Sequence, residues 1–170
     1  MALDLYLVRH AVACGRDPER WPDDGRRPLT PRGERGFRAA ARGLARLLPG
    51  GGASLLLSSP YERAWRTAQI LAEETACPAP MPLDALLPGA GAEEAAAALA
   101  GRAGAGAVVA VGHRPSLHLL AAYLLTGREN GARLRIKKGG AVRIRFEGPP
   151  QPGAGELRWL LTPGLLRSLA

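Results

Sequence analysis

The chain is poor in cysteine and in aromatic residues. Its 170 residues include two cysteines, and aromatic residues make up 5%. Cys14 and Cys77 lie far apart and form neither a CxxC pair nor a zinc-ligand spacing, so the sequence implies no disulfide framework and no metal site. Because aromatic residues are scarce, alanine, leucine and valine must fill the core. The cysteine usage fits a reducing compartment.

Long apolar runs are also missing. No uninterrupted apolar stretch approaches the ~18 residues that a membrane-spanning helix needs. The N-terminus lacks a basic region followed by a long apolar one, as a secretory leader would have. We therefore expect no membrane partner and a cytoplasmic location.

Acidic residues are outnumbered by basic ones. Lys and Arg total 23 against 15 Asp and Glu, which gives a net charge of +8. This surplus favours an anionic partner such as phosphate, phosphoprotein or nucleic acid, although an arginine-rich habit of the source would produce the same balance. Trp21, Trp65 and Trp159 offer no regularly spaced stacking platform. Nucleic-acid binding would depend on charge alone, and we do not expect it.

The sequence alternates between strand-like and helical patterns. Its length suits one domain, 1–170. Alternating strands and helices predict an α/β fold in three layers, with a mostly parallel sheet covered by helices on both faces. Near the end, two runs of alternating hydrophobicity flank the turn "GPPQPGAG" and predict a hairpin at the sheet edge. The predicted strands are 2–8, 54–57, 81–83, 107–111, 142–146 and 157–161, and the predicted helices are 31–48, 61–76, 93–99 and 116–125.

Three predicted strands end in residues that carry chemistry. The first ends at Arg9 and His10, the second at "SSP" with Arg63 close behind, and a later one at Gly112 and His113. All three ends are carboxyl ends, and ligands of open α/β sheets bind outside those ends. We therefore expect these side chains to converge on one pocket.

Histidine and arginine in one pocket favour phosphoryl transfer. A neutral imidazole is a nucleophile towards phosphorus, and a planar guanidinium binds phosphoryl oxygens through paired hydrogen bonds. The sequence contains no evident carboxylate cluster for Mg²⁺ and no GxxxxGK[ST] loop. The simplest prediction is a covalent route that uses neither a metal nor another cofactor.

The order of these motifs resembles a known family. The motifs "LVRHA", "SSPYERAWRTA" and "VGHRPS" together resemble the histidine phosphatase superfamily, the phosphoglycerate-mutase-like enzymes. Further similarity to the short SixA-type phosphohistidine phosphatases lies in "RRPLTPRG", "GHRPSL" and "GELRWLLTP". The resemblance implies that superfamily's fold and a phosphatase that removes phosphate from phosphohistidine on a signalling protein.

The resemblance also implies a role for each matching residue. It makes His10 the nucleophile that forms a phosphohistidine intermediate. It makes Arg9 and Arg63 a clamp on the phosphoryl group, and His113 the ligand of an equatorial oxygen. Arg27 in "RPLT" would add a further phosphate contact.

Two positions depart from the family pattern. Ala11 replaces the glycine of the usual "RHG", which would carry a cost if the backbone needed positive φ there. The acidic residue that larger members carry after the third strand is missing, which leaves Asp84, Glu93 or no residue as general acid. Imidazole leaves phosphohistidine with less help than an alkoxide needs, so this gap favours a P–N substrate.

Other interpretations stay open at this stage. The partner could be a phosphorylated protein or a small phosphomonoester, or the fold could bind phosphate or a polyanion without turnover. Ser59 is a candidate substrate-binding residue, but Ser58 and Ser59 precede a turn and would also suit bonding to the loop backbone. The basic region 128–145 would serve as a docking patch or as a solvated loop. The sequence does not indicate the oligomeric state.

Overall fold

The structure is a computed structural model that describes residues 2–102, 104 and 106–170. Within those residues, six strands form one sheet. They are β1 (Leu3–Arg9), β2 (Leu55–Ser58), β3 (Met81–Pro82), β4 (Gly106–Gly112), β5 (Ala141–Phe146) and β6 (Glu156–Leu161).

The strand order explains both parts of the predicted sheet. The order is β3-β2-β4-β1-β5-β6, and the first four neighbours run parallel. Strand β5 is antiparallel to β1 and to β6, so the last two strands form the hairpin at the edge. The mostly parallel α/β sheet and its C-terminal edge hairpin are therefore confirmed.

Helices cover both faces of this sheet. They are α1 (Pro31–Ala45), α2 (Glu62–Glu74), α3 (Ala92–Ala100), α4 (Ser116–Thr126) and α5 (Pro163–Ser168). Successive residues of β1 point to opposite faces, so Leu5 packs in the core beneath α3 and α4, and Tyr6 packs in the core beneath α1, α2 and α5. This alternation produces the three layers. None of the helices in the described residues is long and apolar enough to cross a membrane.

Helices α1 and α5 begin with the same local signal. Thr30 caps α1 by accepting a hydrogen bond from the Gly33 amide at 2.9 Å, and proline occupies the first helical position. Thr162 and Pro163 start α5 in the same way. The sequence analysis predicted α1 and missed α5, because six residues are too few to establish a helical period.

The parallel register brings three strand ends to one level. Arg9 of β1 lies opposite Gly112 of β4, and Ser58 of β2 lies opposite Val111. The next residues continue the ladder: the His10 amide donates to the Gly112 carbonyl at 3.0 Å, and the Ser59 amide donates to the Val111 carbonyl at 3.0 Å. Backbone pairing alone therefore places the segments that follow the three strands side by side.

Candidate active site

Two histidines face each other where β1 and β4 end. Their ring centroids lie 5.2 Å apart, with the rings tilted by 55°. His10 is 6% exposed and His113 is 2% exposed. The structure thus brings together two of the four residues predicted to be catalytic, in a site largely closed to water.

The position of His10 fixes its protonation. Its Nδ1 lies 2.7 Å from the Ala11 carbonyl oxygen. A carbonyl only accepts, so Nδ1 carries the proton and Nε2 keeps its lone pair. Burial lowers the pKa of His10 to about 3, against the opposing effect of the Ala11 hydrogen bond, and the charges of Arg63 and Arg9 lower it further. His10 is therefore a neutral imidazole with an available Nε2.

Arg63 enters the site from the first turn of α2. Its side chain is 5% exposed, and its guanidinium carbon lies 5.1 Å from the centre of the Tyr61 ring. Nη1 donates to the Asp24 carbonyl at 2.9 Å, and Nη2 lies 3.0 Å from Asp24 Oδ2. One loop residue thus orients this arginine through both its backbone and its carboxylate.

Asp24 also holds Arg27, which the sequence analysis assigned to phosphate binding. Arg27 Nε donates to Asp24 Oδ1 at 2.8 Å, and its Nη1 donates to the Cys14 carbonyl at 2.7 Å. The hydrogen bond from Arg27, together with the charge of Arg63, keeps the pKa of Asp24 below its usual range. The sequence analysis missed Asp24. The acid three residues before Arg27 was the available signal, but nothing local connects it to Arg63.

Arg9 is held from the opposite side of the site. Its Nη1 donates to the Ile136 carbonyl at 3.1 Å, and the Ile136 amide in turn donates to His118 Nε2 at 3.2 Å. Ile136 is buried, while the flanking Arg135 and Lys137 are exposed. Within the basic region 128–145, the backbone at Ile136 therefore contributes to the site and the neighbouring charges of Arg135 and Lys137 point to solvent, whereas Arg143 pairs with Asp4.

Ser59 positions the ring of His113. The hydroxyl oxygen of Ser59 lies 2.8 Å from His113 Nε2, and it accepts from the Tyr61 amide at 3.3 Å. Ser59 is buried from solvent, and among the described residues its hydroxyl has no acceptor other than His113, so it donates to Nε2, which leaves the proton of His113 on Nδ1. Burial, followed by the charges of His10 and Arg63, lowers the pKa of His113 to about 2. Ser59 is fully buried, and a direct contact with substrate stays a prediction.

Three buried donors of the site have no partner among the described residues. They are Arg9 Nε, Arg63 Nε and His113 Nδ1. Buried polar atoms are almost always hydrogen-bonded, so a cluster of such atoms is where a bound ligand or ordered water completes the hydrogen bonding. All three belong to residues that the sequence analysis selected, and the shared chemistry of a guanidinium pair and an imidazole N–H suits an oxyanion.

The segment after His10 is fixed without strain. The Ala11 amide donates to Thr67 Oγ1 at 3.1 Å, and Thr67 donates to the Arg63 carbonyl at 2.7 Å. No residue other than glycine has a positive φ in the described ranges, so Ala11 occupies an ordinary backbone conformation. The cost considered for replacing glycine at this position does not arise. Thr67, within the quoted motif "SSPYERAWRTA", is a further positioning residue that sequence reasoning missed.

The candidate general acids lie on the molecular surface. Asp84 is exposed and, with Glu94 and Arg102, lines a separate cavity of about 420 Å³ that includes none of the predicted site residues. Glu93 is exposed in the first turn of α3. Within the described residues, neither carboxylate hydrogen-bonds to His10 or His113, and no group of three or more His, Cys, Asp or Glu side chains could hold a metal ion.

Comparison with known proteins places the chain in a family. The family model described as the histidine phosphatase superfamily (branch 1) matches residues 5–87, which include "LVRHA", "SSPYERAWRTA" and Asp24. The chain belongs to the histidine phosphatase superfamily. An uncharacterized protein of Picosynechococcus sp. is 35% identical to it over 146 residues, covering 84% of this chain and 85% of that protein.

Solved structures share the fold of this histidine phosphatase. The protein histidine phosphatase SixA complexed with tungstate has a TM-score of 0.81 at 22% identity, covering 96% of this chain and 99% of that one. A protein assigned as phosphohistidine phosphatase SixA from Nakamurella multipartitia has a TM-score of 0.77 at 25% identity, covering 96% and 97%. A phosphoserine phosphatase from Entamoeba histolytica has a TM-score of 0.68 at 15% identity, covering 95% and 98%. The family and these neighbours support a phosphatase, a hydrolase of phosphorylated substrates.

Proposed function

We propose that this histidine phosphatase hydrolyses phosphohistidine on a protein, through a covalent phosphohistidine formed at His10 and without a metal ion. The observation that carries the proposal is the pairing of a neutral His10, whose Nε2 is available, with three unpartnered donors around it. Those donors supply positive charge and hydrogen bonds in the manner that phosphoryl transfer requires.

The first step transfers the phosphoryl group to His10. The Nε2 lone pair forms a bond to phosphorus as the bond from phosphorus to the substrate nitrogen breaks, and that electron pair leaves on the substrate imidazole. Negative charge spreads over three equatorial oxygens, where Arg9, Arg63 and His113 Nδ1 donate. The anionic phosphoryl group raises the pKa of His113 and strengthens that donor.

The second step returns the enzyme to its starting state. Water attacks phosphorus, the bond to His10 Nε2 breaks, and inorganic phosphate leaves. Throughout, Nδ1–H donates to the Ala11 carbonyl. This hydrogen bond holds the tautomer and stabilises the positive charge that the imidazole carries while it is phosphorylated.

The surroundings of the site favour a P–N substrate over an alkyl phosphate. An alkoxide leaving group needs a carboxylic acid that is protonated at neutral pH, whereas Asp24, the carboxylate that binds Arg63 and Arg27, has a lowered pKa and stays ionised. The imidazole of phosphohistidine leaves readily without such an acid. The absence of a raised-pKa carboxyl among the described site residues thus supports the phosphohistidine assignment.

The test compares two substrates in the presence of EDTA. Phosphate release is measured from a phosphohistidine-containing protein and from p-nitrophenyl phosphate, for the wild type and for His10→Ala. We expect EDTA-resistant turnover that is faster on phosphohistidine and is lost in the variant, with acid-labile, base-stable ³²P labelling of the wild type only. Turnover of the aryl ester alone would indicate a small phosphomonoester substrate. Binding without turnover or labelling would leave a phosphate-recognition module.

A further inference from the structure

A groove of about 710 Å³ begins beside His10 and runs along α1. One wall is α1, the other is formed by Lys138 and Gly139, and α5 contributes Pro163 and Arg167 to the lining. None of the residues assigned above to the phosphoryl site lines it, except that Ala11 connects the two. The proposed function does not use this groove.

Basic side chains surround the groove, and no acidic residue lines it. Arg32, Arg35, Lys138 and Arg167 contribute four cations, all exposed. Within the described residues none of them forms an ion pair, although many arginines of this chain do. Four uncompensated cations around one concave surface attract an anionic partner.

On α1, the helical period places Arg32 and Arg35 on a different side from Arg38 and Arg42, which form ion pairs. Positions 32, 35, 36 and 39 share the side of α1 that faces the groove. On the neighbouring side, Glu34 binds Arg66 of α2, and Arg38 and Arg42 bind Glu74. Helix α1 thus presents one charge-balanced side to α2 and one purely basic side to the groove.

The wall formed by Lys138 and Gly139 is attached to the end of β1. The Gly139 amide lies 3.0 Å from the Arg9 carbonyl oxygen and 3.1 Å from the His10 carbonyl oxygen. Because the neighbouring Gly139 is bonded to the end of β1, Lys138 is fixed in position relative to His10, and its charge is one of those that lower the pKa of His10. A polypeptide with its phosphohistidine at His10 would have a continuous path into the groove.

The floor of the groove distinguishes among polyanions. It includes Val12, which is 46% exposed, and Pro163, so it offers apolar contacts as well as charge. The one aromatic residue of the lining, Phe37, is 3% exposed. A buried ring offers no stacking platform for nucleic-acid bases, whereas side chains of an acidic peptide would use both the cations and the apolar floor.

We propose that this groove binds an acidic segment of the protein substrate, close in sequence or in space to its phosphohistidine. The proposal rests on the proposed function, because it adds a second point of contact for the same substrate. It assigns substrate selection to Arg32 and Arg35 of α1, Lys138 and Arg167, and leaves the chemistry to the phosphoryl site.

The test uses two synthetic phosphohistidine peptides and p-nitrophenyl phosphate. In one peptide Asp and Glu flank the phosphohistidine, and in the other Ser and Gly do. We expect the double variant Arg32→Glu/Arg35→Glu to lose about tenfold or more in kcat/KM on the acidic peptide, mainly through KM, and to keep wild-type rates on the neutral peptide and the aryl ester. The control Arg46→Glu/Arg128→Glu changes the net charge equally at exposed positions outside the groove and should leave all three rates unchanged.

A second pair of variants tests the groove without changing charge. Gly36 lines the groove, and a Cβ there would meet no atom within 4 Å. Gly36→Phe should fill the space and lower kcat/KM on the acidic peptide alone, and Gly36→Ala should not. Because a Cβ at Gly36 meets no other atom, neither substitution should disturb the fold, and loss of the fold would show as loss of the aryl ester activity.

The outcomes separate the two proposals. If no phosphohistidine peptide is hydrolysed by the wild type, the proposed function fails. If both peptides are hydrolysed and the groove variants act on them equally, the groove proposal alone is overturned. An oligonucleotide of the same net charge that displaces the acidic peptide as well as a second acidic peptide does would also overturn the groove proposal, because net charge alone would then explain binding.

Discussion

At the scale of single residues, Asp24 determines how Arg63 and Arg27 are oriented in the site. Its carboxylate binds Arg63 Nη2 and Arg27 Nε, and its carbonyl binds Arg63 Nη1. With the η nitrogens of Arg63 engaged in this way, its Nε is the donor left without a partner. The orientation of Arg63 is therefore set by a residue that has no role in the proposed chemistry itself.

Replacing this carboxylate should misplace both arginines. We expect Asp24→Asn to lower kcat/KM by roughly 10–100-fold, because a shift of about 1 Å in a catalytic group has that effect. Steady-state kinetics on the phosphohistidine peptide would measure it. Asp23→Asn is the control, since Asp23 caps the same turn through the Gly25 amide and binds neither arginine. Equal losses in the two variants would show that Asp24 acts only on the loop fold.

Ala11 stands where the family usually has glycine, and its backbone there is not strained. Because its φ is negative and its side chain is buried, restoring the family glycine should bring no relief. We expect Ala11→Gly to lower the free energy of unfolding by about 1 kcal/mol, through added chain entropy and one lost methyl contact. Urea denaturation measures this difference. An increase in stability would mean that alanine is strained at this position after all.

At the scale of elements, α1 packs closely against α5 through a glycine. A Cβ at Gly43 would collide with the backbone carbonyl of Leu166, whereas a Cβ at Gly36 on the same helix would meet open space. Both glycines lie inside α1, where alanine is intrinsically better by about 1 kcal/mol. The two positions therefore separate helix propensity from packing.

This matched pair gives opposite expected results. Gly36→Ala should raise the free energy of unfolding by about 0.5–1 kcal/mol. Gly43→Ala should lower it by roughly 1–3 kcal/mol, because forcing a methyl group against fixed backbone outweighs the gain in propensity. Chemical denaturation of both variants under identical conditions decides the matter. Stabilisation by Gly43→Ala would contradict the close packing of α1 on α5.

How much the sequence could predict also depends on the element. The convergence of His10 and His113 follows from strands that the pattern reveals, because the carboxyl ends of parallel strands meet at one edge. The pairing of Asp24 with Arg63 does not follow, since it joins a loop to a helix 39 positions away without any local signal. Helix α5 was missed because it is short, and the basic groove was missed because four separate segments of the chain line it.

At the scale of the whole molecule, the two histidines couple the site to folding stability. Burial lowers the pKa of His10 to about 3 and that of His113 to about 2, from 6.5. Below about pH 6.5 these two histidines bind protons in the unfolded chain but stay neutral in the folded chain, so folding becomes less favourable as the pH falls. The stability that both groups provide while neutral is complete above that pH.

We therefore expect the free energy of unfolding to fall by roughly 1–2 kcal/mol per histidine between about pH 7 and pH 5. Urea denaturation at several pH values would measure the slope. In His113→Gln the slope should be smaller than that of the wild type but not zero, because His10 and His118, whose pKa burial also lowers, still contribute. An unchanged slope would show that His113 does not titrate differently in the two states.

One part of the site is attached to β1, in the interior of the sheet, and another part to a loop, and we expect these two parts to differ in local stability. Strand β1 is hydrogen-bonded along its length to β4 on one side and to β5 on the other, and its last residue is followed at once by His10, the proposed nucleophile. The loop that carries Asp24 and Arg27 is tied down by an isolated bridge between Ala13 and Leu29. Local opening of that loop lies well below global unfolding in free energy, so amide exchange there should be fast while β1 stays protected. A transient opening would then withdraw Arg27 and free Arg63 from Asp24, while Arg9 and His10 remain in register at the end of β1.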